Sequence, residues 1–570
     1  MSAQDLVSDS SALHVRWLGR VPYREALAVQ EAMFRHGTTN QLLLLEHLHV
    51  FTYGPSADLE KNLRCVPDEV GADFVHVKRG GDITYHGPGQ LVGYPIVNLS
   101  SKHGGDGPAD NVAYVHAVEQ VVIDALHEVG LVSAGRHEGY PGVWVDVHTA
   151  QPRKICAIGV RVARRRTMHG FAINVSTDLD YMSTHIVPCG ISEFPVTSLH
   201  AEGIDISMAD FVDVIAHHSA RAWGGAQIER QDVAWKQTPD DLSAFSRGEG
   251  PGQPVRMLGR LARAGVEDSI SLSERKPDWL RPHVQHGPEV LAVKRTLRDL
   301  NLVTVCEEAG CPNLSECWND GTATFMVLGE RCTRACGFCL VDTQKPLAPD
   351  AHEPARIAEA VSRMGLRFAV LTMVARDDLE DEGMGHVADC IRAIRTQDPA
   401  IQIETLISDA RGTDALDIVL EARPDVLNHN VETVPRLQRA VRPSAGYARS
   451  LSVLSRAKAA GLTVKSGLIV GMGETDEEII GVLTDMAAVG VNIVTIGQYL
   501  RPTTHHLPVA RWVEPAIFEM YKEVGEALGI GHVESSPLTR SSYHARESAE
   551  HAVPVRIGTC LLYTSDAADE

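Results

Sequence analysis

Hydrophobic and polar positions alternate along the chain in two distinct rhythms. In residues 22–36, Ala26, Val29 and Met33 recur at helical spacing behind Pro22, which predicts a helix with proline in its first turn. Residues 41–46 enclose four leucines, a run short enough for a buried strand. Residues 90–99 have strand character, and 109–129 form a long amphipathic helix. Strand-like runs follow at 142–147, 154–162 and 170–175, then a last helix over 208–223. Strands in the middle with helices around them predict an α/β or α+β domain over residues 1–225. Periodicity is weak over 226–255, which closes in the Gly/Pro-rich stretch 247–254 and is expected to be a linker. Beyond 256 the rhythm becomes a strict alternation. Strands are predicted at 324–328, 367–373, 401–407, 425–431, 463–471 and 491–500. Helices are predicted at 288–300, 353–364, 385–396, 414–422, 447–460, 475–489 and 514–528. About six strands in β-α order predict a parallel sheet curled into a partial (β/α)6 barrel, so the whole chain is α/β in class.

Composition adds bounds. The 570 residues are 44% hydrophobic and 22% charged, as in an ordinary globular protein. A net charge of −21 argues against a nucleic-acid binder, which would carry a basic footprint. No apolar run reaches the roughly 18 residues that span a membrane, and the first ten residues lack a signal peptide's pattern, so a cytoplasmic location is expected.

Two stretches carry candidate chemistry in the first half. Residues 79–90, Arg-Gly-Gly-Asp-Ile-Thr-Tyr-His-Gly-Pro-Gly-Gln, are rich enough in glycine and proline to predict a loop that lets backbone approach a ligand. Cys189 stands between Pro188 and Gly190, which force a turn, and Lys154 opens a predicted strand. A lysine beside a thiol favours the nucleophilic thiolate. Taken alone, Cys189 is more often a small buried hydrophobe and Lys154 a solvated surface charge, and spacing by itself favours that reading. In the second half, six of the eleven cysteines fall between 306 and 339, as Cys306-x4-Cys311-x5-Cys317 and Cys332-x3-Cys336-x2-Cys339. Two odd triplets lack the paired C-x2-C knuckles of structural zinc, and their thiolates suit an iron–sulfur cluster. Cys65, Cys156 and Cys390 lack such spacing and are expected in the core or in structural roles.

These stretches resemble two known families. Residues 79–90, Lys154–Gly159, His169–Asn174 and Pro188–Gly190, in that order, resemble lipoyl(octanoyl) transferase, of the biotin/lipoate protein ligase fold. The resemblance covers about 13–223. It implies that octanoate passes from octanoyl-acyl carrier protein to Cys189 as a thioester and then to a lipoyl-domain lysine. Lys154 would tune the thiol. Arg79, Gly80, Gly81, Asp82, Ile83, Thr84, Tyr85 and His86, with Ala157, Ile158, Gly159, Gly170, Phe171 and Ala172, would form the acyl-binding loops.

The Cys332–Cys339 spacing, with Phe338 before its last cysteine, resembles the radical S-adenosylmethionine signature. The upstream triplet, residues 430–436, 497–503 and the Arg540–Ala545 stretch resemble lipoyl synthase over about 256–548. This implies two 4Fe–4S clusters. Cys332, Cys336 and Cys339 would hold the one that binds S-adenosylmethionine. Cys306, Cys311, Cys317 and Ser542 would hold an auxiliary sulfur donor, and two sulfurs would enter the octanoyl chain at its sixth and eighth carbons. The implied partners are lipoyl domains of 2-oxoacid dehydrogenase E2 subunits and glycine cleavage H protein, with an electron donor such as flavodoxin or ferredoxin. The alternatives are a methylthiolating enzyme, a single active half, or a non-catalytic iron–sulfur sensor. One stretch departs from the family, whose Thr-Ser-Val-Asp-Arg-Asp-Asp-Leu is here Thr372-Met-Val-Ala-Arg-Asp-Asp-Leu379, and whose following Gly-Gly is Glu382-Gly383. Glu404 and Asn430, at strand ends, are further candidates for contact with cofactor or peptide, or else ordinary polar residues. Residues 549–570 are expected to be a tail, and 559–570 resemble translated adapter DNA, leaving Cys560 without a role.

Overall fold

The computed structural model describes residues 6–7, 12–105, 107–224, 228–234, 259–267, 269–270, 274–281, 288–304, 313, 317–318, 322–411 and 414–552. Cys306, Cys311, most of the expected linker and the tail beyond 552 lie outside the described residues.

The first half is built on an eight-stranded mixed sheet. Its order is Ile228–Asp232, Leu13–Val21, Gln41–His47, Gln90–Ile96, Arg166–Asn174, Arg153–Ala163, Tyr140–Val145 and Ala134–His137. The first three run parallel and the rest pair antiparallel. One face carries helices Asn111–Glu128 and Met208–Trp223, capped by Asp110 and Ser207 through their side-chain oxygens. A separate three-stranded sheet joins Val50–Tyr53, Asp73–His76 and Thr84–His86. Residues 84–86 were expected in a loop, but their backbone pairs with 50–52, and that pairing outweighs the glycines around them. Residues 228–232, inside the stretch expected as linker, extend the first sheet by pairing with 13–17.

The second half is a seven-stranded parallel sheet in strict sequence order, from Thr322–Val327 to His532–Ser535. The last strand is one more than the periodicity predicted. A helix follows each of the first six strands, between Glu353–Arg363 and Pro515–Ala527. Side chains from the first and the sixth strand, Thr324 and Gln498 among them, line one cavity, so the sheet curves around it.

The two halves share one hydrophobic core. Helix Tyr23–His36 sends Ala26, Val29, Ala32 and Met33 into a cluster containing Leu43, Leu45 and Val92 of the first sheet. The same cluster continues into Leu451 and Leu454 of helix Tyr447–Ala459, on which Tyr23–His36 packs. At this junction Arg16, fully buried, donates through Nε to Asp485 at 2.8 Å and through Nη1 to Glu229 at 2.6 Å. Tyr447 also donates to Asp485, at 2.7 Å. Truncating one member of a buried pair strands the other's charge. Arg16→Ala should therefore cost about 3 kcal/mol, while Arg16→Met with Asp485→Leu should recover most of it, as read by denaturant unfolding.

Candidate functional sites

In the first half, strands and loops meet around a cavity of about 460 Å³. Cys189 and Lys154 both line it. The Pro188–Gly190 turn holds Cys189 at φ 56°, in the left-handed region that a side chain other than glycine's occupies at a cost. The turn is fastened by Cys189 N–H donating to the Ile83 carbonyl at 2.8 Å and Gly190 N–H to the Val187 carbonyl at 3.0 Å. Both N–H groups are thus engaged, and an oxyanion at this site would need other donors.

Most of the loop residues expected to bind the acyl chain converge here: Arg79, Gly80, Gly81, Thr84 and His86, with Ala157, Ile158, Gly159, Gly170, Phe171 and Ala172. Asp82, Ile83 and Tyr85 do not line the cavity. Asp82 accepts from Asn62 at 2.8 Å, Ile83 anchors Cys189 through its carbonyl, and Tyr85 turns the other way to stack on Tyr181. Within strand Thr84–His86, alternation turns Tyr85 to the face opposite Thr84 and His86. Cys156 is fully buried, and burial pushes its thiol up to about 12, in keeping with a core role.

The inner wall adds Tyr23, Val92, Tyr94 and His169, which the sequence left unassigned as site residues. Behind it lies His47, fully buried, with one ring nitrogen on the Val21 carbonyl and the other on the Tyr94 hydroxyl. Burial lowers His47 and His169 to about 4 and lowers His86 as well. An unfolded histidine takes up its proton near 6.5. The folded state refuses it until about pH 4, so the stability these rings contribute is complete above pH 6.5 and falls as pH drops toward 4. Between pH 6.5 and 5, His47 alone should account for about 2 kcal/mol of lost stability. Thermal midpoints across that window should fall less steeply in His47→Gln than in the parent.

In the second half, the cavity at the C-terminal ends of the strands measures about 590 Å³. Cys332, Cys336 and Cys339 all line it, together with Cys317, Ser541 and Ser542. The cysteine loop follows strand Thr322–Val327 and is tied down on three sides. Thr333 N–H donates to the Ala375 carbonyl at 3.0 Å, Gly337 N–H to the Val441 carbonyl at 2.8 Å, and Leu507 N–H to the Gly337 carbonyl at 3.1 Å. Burial pushes the Cys332 thiol up to about 11 and raises Cys336 and Cys339, while Arg442 and Arg334 pull Cys336 the other way. Three soft sulfur donors on one wall, with the buried Asn430 Oδ1 and Ser408 Oγ lacking hydrogen-bond partners among the described residues, fit an iron–sulfur cluster with a polar ligand beside it. Arg442 has no local sequence signal. It reaches the cluster wall because the 337–441 backbone bond brings it there.

Two of the three departing residues sit at this cavity. Met373 and Ala375 line it. Arg376 is buried, donates to Asp378 at 2.8 and 2.9 Å, and leaves Nη1 without a partner among the described residues. Glu382 keeps the left-handed backbone (φ 54°) that glycine adopts freely, and its carboxylate accepts from Arg411 N–H at 2.9 Å. Asp377 is gripped by Arg334 and Arg411, which outweigh burial and hold its carboxyl well below the usual range. Asn430 lines the cavity, but Glu404 does not. It is fully buried between Lys465, at 3.0 Å, and Asn428, at 2.8 Å.

Comparison with known proteins matches residues 22–220 to the lipoyl protein ligase A/B catalytic domain. Residues 236–311 match the N-terminal domain of lipoyl synthase, and 326–486 the radical SAM superfamily. The chain is similar to lipoyl synthase of Rubrobacter xylanophilus, with 54% identity over 280 residues, 49% of this chain and 87% of that protein. It is similar to that of Mycobacterium leprae at 49% over 304 residues, covering 53% and 97%. It is similar to that of Methylococcus capsulatus at 48% over 317 residues, covering 55% and 98%. Among the described residues, no helix is long and apolar enough to cross a membrane.

Proposed function

The chain belongs to the lipoyl synthase family and carries a lipoyl protein ligase A/B catalytic domain ahead of it, and from that premise we propose that it assembles the lipoyl group on a protein in two stages. It is a transferase joined to a radical S-adenosylmethionine sulfurtransferase, and so a bifunctional lipoylation enzyme.

The observation that carries the first stage is the meeting of Cys189 and Lys154 at one apolar cavity. The Cys189 thiolate attacks the carbonyl of an octanoyl thioester on acyl carrier protein, and the carrier's thiol leaves. A lysine amine of a lipoyl domain then attacks the Cys189 thioester, releasing the thiolate and forming an amide. Lys154 moves the protons at sulfur. An ATP-dependent ligase would need no cysteine here, and Cys189 on its left-handed turn favours the transferase. Arg79–Gly81, Ala157–Gly159 and Gly170–Ala172 frame the acyl chain.

For the second stage, Cys332, Cys336 and Cys339 would hold one 4Fe–4S cluster, and Cys306, Cys311, Cys317 and Ser542 the auxiliary one. Bound clusters and S-adenosylmethionine supply the one-electron chemistry and the sulfur. The chain's part is to place the ligands, with Arg334 and Arg442 setting positive charge behind the cysteine loop. The acceptors are lipoyl domains of E2 subunits and glycine cleavage H protein, the reductant is a flavodoxin or ferredoxin, and the location is the cytoplasm. Joining the stages raises the effective concentration of their common substrate.

The test is the intact mass of an apo lipoyl domain incubated anaerobically with reconstituted protein, octanoyl-acyl carrier protein, S-adenosylmethionine and a low-potential reductant. Octanoate followed by two sulfurs is the expected product. An unmodified domain would sink the transferase reading, and octanoate alone would sink the synthase reading.

A further inference from the structure

Lys154 is nearly buried, yet among the described residues its ammonium enters no ion pair. The neighbouring carboxylate, Glu119, is already taken by Arg136 Nε at 2.8 Å, His116 Nδ1 at 2.9 Å and the Gly142 N–H at 3.1 Å. What faces the ammonium is an indole. Lys154 Nζ lies 5.2 Å from the centroid of the Trp144 ring. The two residues are partners across adjacent strands, with a register shift just before Trp144. Gly142 leaves room for the Lys154 side chain. A Cβ there would fall 2.8 Å from Lys154 Cε and 2.5 Å from the Cys156 carbonyl, and its φ of 122° suits glycine alone.

Trp144 is itself clamped. It is fully buried, donates Nε1–H to the Tyr140 carbonyl at 3.0 Å, and meets Tyr140 and Phe194 edge-on at 5.9 and 5.6 Å, with His137 at 5.3 Å. Phe194 belongs to the segment that runs on from Cys189. That segment is stitched to Lys154 on both sides, by Lys154 N–H to the Pro195 carbonyl and Thr197 N–H to the Lys154 carbonyl, each at 2.9 Å. The aromatic box therefore joins the strand that carries the lysine to the loop that carries the nucleophile.

We propose that Trp144 is a positioning residue for acyl transfer, its ring face serving as the electrostatic partner that holds the Lys154 ammonium toward Cys189 in place of a carboxylate. A carboxylate would draw the ammonium away from the thiolate and compete for its proton. A ring face attracts the cation but takes no proton, so the lysine stays oriented and its proton stays available to sulfur. The inference rests on the Cys189–Lys154 reading above.

The test uses the full chain and two readouts: octanoyl-thioester formation on Cys189 by intact mass, and the pH dependence of Cys189 alkylation by iodoacetamide, followed on its peptide. Trp144→Leu should slow thioester formation about tenfold and move the alkylation midpoint toward that of Lys154→Met. Trp144→Phe should stay within about twofold of the parent, since a ring face remains. In the Lys154→Met background, Trp144→Leu should change neither readout further. Fluorinated tryptophan installed at 144 keeps the shape and drains the ring's negative face, so the rate should fall stepwise with fluorine count even if Trp144→Leu fails to fold. A parent midpoint in Trp144→Leu, an equal loss in the Lys154→Met background, or a flat fluorination series would overturn the proposal. A parent chain that forms no thioester on Cys189 would instead overturn the transferase reading and the inference with it.

Discussion

Cys189→Ala is expected to abolish octanoylation of a lipoyl domain while leaving sulfur insertion into a pre-octanoylated domain intact. The thiol is the only sulfur lining the first cavity among the described residues, and no hydroxyl there replaces it on the same turn. Loss of a covalent nucleophile typically removes several orders of magnitude, about 10³-fold or more. The substitution also relieves little packing, since Cys189 is only partly buried, so the melting temperature should hold. Intact mass separates the two activities, because octanoate and two sulfurs add different increments. Residual transfer within tenfold of the parent would show that the acyl group reaches the lysine without Cys189.

The second large effect is expected from replacing Cys332, Cys336 and Cys339 together by alanine. Octanoylated domain should then accumulate without sulfur, and iron bound per chain after reconstitution should fall by about one cluster's four irons. The first-half activity supplies the internal control. The loop's backbone ties to Ala375, Val441 and Leu507 use no thiol, so the barrel should keep its shape. Iron content equal to the parent's would mean that these cysteines are not cluster ligands.

What the sequence revealed and what it hid divide by range. The cysteine triplet and the glycine-rich loop are local signals. Their chemistry depends on residues a few positions apart, and the structure places most of those residues at the walls of two cavities. Strand and helix alternation in the second half was legible because each buried parallel strand is a short apolar run between amphipathic helices. The last strand, His532–Ser535, alternates in burial but has Val533 as its one apolar residue and is only four residues long, too short to stand out. The small sheet around 50–53, 73–76 and 84–86 consists of three- and four-residue strands held by pairing across the chain, which no local pattern records. Trp144 lies in the strand-like run 142–147, and nothing in that local pattern marks it as a site residue. Only cross-strand register sets its ring beneath Lys154. Arg16, in the strand Leu13–Val21 that the periodicity did not pick out, meets its partner 469 residues away.

The shared core has a consequence for how substrate is handled. Domains within one chain usually shift against each other unless a large apolar contact prevents it. Here helix Tyr23–His36 is an interior element of both halves at once, with a buried ion pair beside it. The mouths of the two cavities are therefore fixed stations on a single rigid frame, and travel between them falls to the carrier. A lipoyl domain that has accepted its acyl arm must detach, turn and present the same lysine at the second station. On the proposed function, the distance between the stations sets how far a tethered carrier domain swings between the two steps.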